Sequence, residues 1–282
     1  MKLGNKVVAT LKVDLAVVVL LLAVIAGCRP NNLSIDPKPG TPVKTSGFGT
    51  SDSPNGGCKD QFSLPDNPTV LTNPTVVNLY WGSYWQPDAN GQGVGYAVRY
   101  WLDDRAGLLL NDPDFWAPLW EYSTATQKIT GGTYLGGYGG NVSLASGNLT
   151  RNDIETELGK EIDGTSPLGA TFPSLQHGFS QPAGDVIYVI WLPPGVTNSP
   201  GLDGAFGYHQ VFTHGGKNIP YGVIGYLDQW KGYQDSMFIT ETHEIYETVT
   251  DPLTVSGWRD GNGNEIGDIC GRAVLDTDAI TV

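Results

Sequence analysis

Residues 237–251 read Met-Phe-Ile-Thr-Glu-Thr-His-Glu-Ile-Tyr-Glu-Thr-Val-Thr-Asp and are followed by Pro252. The spacing predicts a helix that Pro252 brings to an end. Residues four apart on a helix share a face, with Cβ atoms about 6 Å apart. His243 and Glu247 can therefore hold one metal ion while Glu244 projects beside it. The pattern is H-E-x-x-E, a relative of H-E-x-x-H, in which the outer side chains bind zinc and the inner Glu acts as general base on water. A carboxylate serves zinc as an imidazole does in catalytic sites, which offer three protein ligands and one open position. Ile239, Thr240, Thr242, Ile245, Thr248, Val249 and Thr250 are β-branched and oppose a helix, so tertiary packing must compensate. Phe238, Thr242, Ile245 and Val249 are expected to face the core.

A solvated acidic helix face would explain the same string, and the segment beyond the helix tips the balance toward a metal site. Residues 251–270 concentrate carboxylates and glycines, and a turn after Pro252 can bring Asp268 or Glu265 back as a third ligand. Within this segment Asp260-Gly-Asn-Gly-Asn-Glu265 carries oxygen side chains at alternate positions, as calcium loops do. Yet Glu265 stands where such a loop needs glycine, and Gly271 where it needs its closing glutamate. A tight Gly/Asn turn accounts for these residues, with structural Ca2+ as the alternative. Of the four histidines, His209 sits at the end of a strand-like run and is a reserve ligand or transition-state stabiliser, against a purely structural role. His177 and His214 fall in Gly-containing loops and are given no role.

At these residues the chain resembles a known family. The run His243-Glu-Ile-Tyr-Glu247, then Thr250-Asp-Pro252, Gly257-Trp258 and Glu265-Ile-Gly-Asp-Ile-Cys270 is similar to the signature of the phosphate-induced protein 1 family, which includes the plant Exordium proteins and secreted bacterial relatives. Residues 73–85, 185–191 and 206–209 resemble its two strands and its Gly-[Tyr/Phe]-His segment, so the likeness covers roughly residues 70–271. The resemblance implies a secreted protein with a metallopeptidase-like site. Family members usually continue past this cysteine into further strands, so it also implies a C-terminus truncated after residues 271–282.

The first 28 residues read as a bacterial lipoprotein signal: Lys2, Lys6 and Lys12, an apolar run over 15–26, and Ile25-Ala-Gly-Cys28. Cys28 is the expected lipidation site, and acyl chains of this kind anchor a protein without spanning the bilayer. The apolar run falls short of the ~20 residues a span needs. An ordinary secretory signal is the competing reading, and either one places the domain outside the cytoplasm, lipid-anchored to a bacterial membrane or secreted. Without residues 1–28 the chain has 13 basic and 28 acidic residues, a net charge of −15, which suggests no nucleic-acid partner. Cys58 and Cys270 then remain. In an oxidising compartment a disulfide between them is the simplest pairing, with two free buried thiols as the alternative.

Residues 29–68 are rich in Pro, Gly, Ser, Thr and Asn and read as a disordered linker. Residues 69–282 suit one domain. Strands are expected over 76–85 and 186–191 and helices over 98–110 and 151–162. Thr150 caps the second helix, with Asp153 three residues on and Ile154, Leu158 and Ile162 as its apolar stripe. Residues 131–140 are glycine-rich but lack the Gly-Lys-Ser/Thr ending of a P-loop, and read as a flexible loop or irregular strand. Strands and helices mix without regular βαβ alternation, which predicts an α+β fold: a single zincin-like domain with a mixed sheet and an active-site helix.

The expected function is an extracytoplasmic zinc-dependent hydrolase, a peptidase acting on a peptide or protein. His243 and Glu247 would bind zinc with Asp268 or Glu265, and Glu244 would be the general base. The alternative is a non-catalytic surface module with a structural metal, binding cell-wall glycan or a protein partner through some of its 8 Trp and 13 Tyr.

Overall fold

The computed structural model describes residues 62–63, 68–140, 142, 147–166, 186–198, 206–227 and 233–268. The expected signal with Cys28, most of the linker, Cys58, His177 and Cys270 lie outside the described residues. No described helix is long and apolar enough to cross a membrane.

In chain order the strands are β1 (Phe62–Ser63), β2 (Thr75–Trp81), β3 (Thr133–Gly140), β4 (Asn148–Leu149), β5 (Val186–Trp191), β6 (Thr197–Asn198), β7 (Gly207–His214), β8 (Lys217–Ile224) and β9 (Arg259–Asp260). The helices are α1 (Val94–Leu109), α2 (Pro113–Trp116), α3 (Arg151–Ile162) and α4 (Tyr233–Thr250). Five strands make one mixed sheet in the order β3, β2, β5, β8, β7. Neighbours are parallel except β7, which runs antiparallel to β8 at the edge. The fold is α+β with a mixed sheet, as the mixture of patterns indicates.

Both faces of the sheet are covered, which is why its central strands read as continuous apolar runs. Side chains alternate between faces along a strand. Val76, Tyr80, Ile187, Val189, Trp191 and Ile224 join one apolar cluster with α1, α2 and α4. Val77, Leu79, Trp81, Tyr188, Ile190, Tyr221 and Val223 join a second with Ile154 and Leu158 of α3. Fully burying such a side chain contributes about 1.5–3 kcal/mol, so the two clusters fix both layers against the sheet.

Several boundaries differ from the sequence reading. β2 stops at Trp81 because Gly82 turns the chain at φ 96° into a 3-10 turn over Ser83–Trp85. Helix α1 begins four residues earlier than the apolar pattern shows, with Gly95 packed under Tyr84. The glycine-rich run is an irregular strand, β3, parallel to β2. Its register slips once, opposite Val76 and Val77, where Gly136 takes φ 132°. Thus β2, α1 and β3 form a parallel crossover that glycine content conceals. Side chains would not fit along β3: a Cβ at Gly137 would lie 1.8 Å from Asp103 Oδ1, and one at Gly139 would lie 2.1 Å from Arg99. Phe62 and Ser63, which composition assigns to the linker, form β1 against β9, and Phe62 is buried beside Tyr122.

Helix α3 starts as its sequence predicts. Thr150 Oγ1 accepts the Asp153 N–H (3.2 Å), and the Asp153 carboxylate accepts the Thr150 N–H (2.8 Å). The same helix carries Glu161 into the core at 1 % exposure, where neither carboxyl oxygen has a hydrogen-bond partner. Burial first, and then the nearby Glu157, push the Glu161 carboxyl well above its usual range, although Trp81 opposes this. The folded chain therefore keeps a proton that the unfolded chain releases near pH 4.3. Stability contributed by the neutral acid is present below that pH and is lost as pH rises toward the folded value. Chemical denaturation from pH 5 to pH 8 is expected to show a falling midpoint in the wild type and a distinctly shallower fall in Glu161→Gln.

Candidate metal centre

Helix α4 carries the H-E-x-x-E string and crosses the face of β7 and β8. Phe238, Thr242, Ile245 and Val249 are buried, as their spacing predicts. The β-branched positions are satisfied by back-bonding as well as packing. Thr242 Oγ1 donates to Ile239 O (2.9 Å), Thr248 to Glu244 O (2.6 Å) and Thr250 to Tyr246 O (2.8 Å). The polar side reaches further inward than a solvated face would: Glu241, Glu244 and Glu247 are all under 5 % exposed.

One glycine lets the helix approach the sheet, while Gly222 of β8 lies beside Glu244, where a Cβ would make an ordinary contact at 3.6 Å. A Cβ at Gly207 of β7 would lie 2.9 Å from Glu244 Oε1. His209 pairs with Gly222 in the β7–β8 register, so both face α4. His209 is thereby buried at 7 % exposure among three carboxylates. Its Nδ1 lies 3.3 Å from Glu247 Oε2 and 3.7 Å from Glu244 Oε2, and its Nε2 lies 3.5 Å from Glu265 Oε1.

The chain after α4 folds back against the helix by a defined route. The buried Asp251 carboxylate accepts the Ser256 and Gly257 N–H groups (both 2.8 Å) and the Arg259 guanidinium (2.8 Å). Trp258 is fully buried against Tyr122, with its indole N–H on Tyr122 O. Asp260 then closes a turn, its Oδ1 accepting the Asn262 and Asn264 N–H groups (both 2.8 Å). The Asn264 amide donates to its Oδ2 (2.9 Å). The Asp260 carboxylate thus holds the turn's own donors, which is the Gly/Asn turn that the sequence allows.

This route brings Asp268 to the helix. Its N–H donates to Glu247 Oε1 (3.0 Å), the oxygen that also faces His243 Nε2 at 3.0 Å. His243, Glu247 and Asp268 place one ligand atom each within 4.8 Å of one another. His209, Glu244 and Glu247 do the same on the other side of Glu247. Glu265 belongs to neither set. It accepts from Arg259 (2.7 Å) and faces His209, so of the two alternative third ligands only Asp268 joins His243 and Glu247. His214 is the last residue of β7 rather than part of a loop, and its Nε2 is 2.9 Å from Asp163 Oδ1.

The charges around Glu247 compensate one another. Burial would raise its carboxyl, but His209 and His243 outweigh it and hold it at about 2. Burial would likewise lower His243, yet Glu247, Glu244 and Asp268 raise it to about 9, and carboxylates raise His209 well above its ordinary value. Burial and the Glu247 charge push the Glu244 carboxyl up, against the two histidines. Burial also leads in raising Glu265 to about 8. The cluster therefore calls for compensating positive charge, which protons on the imidazoles or bound divalent cations can supply.

Among the described residues the donor set suits zinc: one imidazole and two carboxylates, three ligands rather than a closed four. Ligand atoms around a tetrahedral ion with bonds of about 2.0–2.1 Å lie about 3.3 Å apart, and His243 Nε2 lies 3.0 Å from Glu247 Oε1. Among the described residues Glu244 Oε2 is buried without a hydrogen-bond partner, as expected of an acceptor that awaits a proton or a cation. His243 remains 26 % exposed along its side chain, so the His243 side of the cluster opens to solvent. Asp251, Arg259 and the glycines at 207, 222 and 267 were not singled out from sequence. The available signal was the Gly-x-His alternation that puts Gly207 and His209 on one face of β7.

No family model matches the chain, and no curated protein or solved structure matches it. Its chemistry rests on the geometry of the site.

Gly267 supplies a direct test of that geometry. A Cβ there would lie 2.7 Å from Glu247 Oε1 and 2.9 Å from the His243 ring, whereas one at Gly261 meets nothing within 4 Å. Gly267→Ala is expected to weaken zinc about 10–100-fold, the scale of other disturbances just outside a ligand set. Competition with a chromophoric chelator reads the change, and Gly261→Ala is expected to leave affinity unaltered.

Proposed function

We propose that this chain is a zinc-dependent hydrolase of the zincin type, cleaving peptide bonds outside the cytoplasm. The observation that carries the reading is the convergence of His243, Glu247 and Asp268, residues from a helix and from a segment twenty-one positions beyond Glu247, with their ligand atoms within 4.8 Å. The mixed sheet beneath that helix supports it, since the one antiparallel strand stands at the edge nearest the site. The sequence supports an extracytoplasmic setting through the lipoprotein-type signal. Among the described residues three ligands converge rather than four, which favours chemistry over a purely structural metal.

Zinc bound there would supply Lewis acidity toward a carbonyl oxygen and toward water. His243, Glu247 and Asp268 would hold the ion, and the Asp268 N–H steadies the Glu247 carboxylate. Glu244 stands beside them with Oε2 free to accept a proton. The step it serves adds water to the scissile carbonyl carbon: one water proton passes to Glu244, the C–N bond breaks, and the proton leaves on the departing amine. His209 Nδ1, 3.7 Å from Glu244 Oε2, balances the charge on that carboxylate, and Glu265 lies 3.5 Å from the other ring nitrogen. Among the described residues β7 pairs only with β8. Its outer edge can align an extended peptide by main-chain hydrogen bonds, which would lead the substrate past Gly207 toward Glu244.

Glu244→Gln keeps the shape of the side chain and removes the proton acceptor. With a library of quenched fluorescent peptides and the zinc-loaded full chain, this variant is expected to lose at least about 100-fold in turnover while the zinc held by His243, Glu247 and Asp268 stays bound. Full activity in the variant would remove Glu244 from the role.

A further inference from the structure

Glu247 does not serve one cluster. Its Oε1 faces His243 Nε2 and the Asp268 N–H, while its Oε2 faces His209 Nδ1. The side chain is 5 % exposed, so neither oxygen has bulk water as an alternative partner. On the Oε2 side, the His209 Nδ1 to Glu247 Oε2 distance of 3.3 Å matches the separation of two ligands on one tetrahedral ion. Glu244 Oε2 completes this trio, is buried with the side chain at 5 % exposure, and has no hydrogen-bond partner. His209 is also arranged as a ligand would be. One ring nitrogen lies toward the two carboxylates, and the other, buried without a hydrogen-bond partner, lies 3.5 Å from Glu265, which Arg259 holds in turn. A carboxylate behind the far nitrogen is the usual support for a metal-bound imidazole.

We propose that the centre is built for two divalent cations that share Glu247, one held by His243 and Asp268 and the other by His209 and Glu244. This rests on the zinc reading of the His243 position and extends it. A bridging carboxylate with each oxygen committed to a different imidazole is how two ions sit about 3.5–4 Å apart. The two positions differ in surroundings. The His243 position opens to solvent, whereas the His209 position is enclosed by β7, β8 and α4. The inner ion and proton transfer compete for the same atom, because a cation on Glu244 Oε2 withdraws the acceptor that hydrolysis needs. Filling the inner position therefore brakes the reaction, and turnover is expected to fall at high cation concentration.

The test is equilibrium dialysis of the full chain against zinc, read by elemental analysis, with manganese(II) electron paramagnetic resonance on a parallel sample. The proposal predicts about two ions per chain and an exchange-coupled manganese spectrum. His209→Gln and Glu244→Gln should each drop the count to about one and leave an isolated-ion spectrum, and Asp268→Asn should weaken the other ion instead. Two variants on the inner side guard against one of them failing to fold, which circular dichroism reports. A single ion in the wild type, unaffected by His209→Gln, would overturn the second position and leave the zinc hydrolase reading standing. No bound ion in a folded wild type would overturn both.

Discussion

Glu247 is a carboxylate held ionised inside the protein, and most of the surrounding architecture answers to it. Removing an isolated carboxylate from water costs several kcal/mol even after relaxation, so such a residue persists only where compensation is built around it. Here the compensation comes from three directions: His243 one turn away on the same helix, His209 from the sheet edge, and the Asp268 N–H from the segment beyond. Each requires its own scaffold. His209 needs the β7–β8 pairing with Gly222 opposite, and Asp268 needs the route through Asp251, Trp258 and the Asp260 turn.

That route explains why so many polar groups are buried without destabilising the fold. Asp251 at 0 % exposure ends the helix by binding two backbone N–H groups and the Arg259 guanidinium, and Arg259 passes the connection to Glu265 and so to His209. Networks of this kind hold geometry where their members are hydrogen-bonded on both sides, as Asp251 and Arg259 are. Glycines at 207 and 267 complete the design by bringing backbone close to Glu244 and to Glu247 and His243, where a Cβ would not fit. Rigidity of the supporting shell is what a metal centre requires of its protein.

Much of this was legible in the sequence, for physical reasons. The 3.6-residue spacing of Phe238, Thr242, Ile245 and Val249 marks the buried side of α4, and Thr150 with Asp153 marks the start of α3. The His243 and Glu247 pair comes from helix geometry, and the return of Asp268 from the turn after Pro252. Pattern could not supply anything that depends on a distant register. Glu265 and Asp268 are three residues apart and chemically alike, yet the helical turn over Ile266–Asp268 sends one to His209 and the other to Glu247. The strand β3 was obscured because its glycines carry no hydrophobic alternation, and they are there to admit Asp103 and Arg99 of α1. The convergence of Glu244 with His209 needed the sheet itself, since those residues are far apart in the chain.

The most direct measurement is X-ray diffraction at the zinc edge from crystals of the full chain grown with zinc. A zinc centre on α4 predicts an anomalous peak within about 2.2 Å of His243 Nε2 and of carboxylate oxygens of Glu247 and Asp268. A clean map with no peak there, or a peak held by other residues while these three pair only with one another, would contradict it.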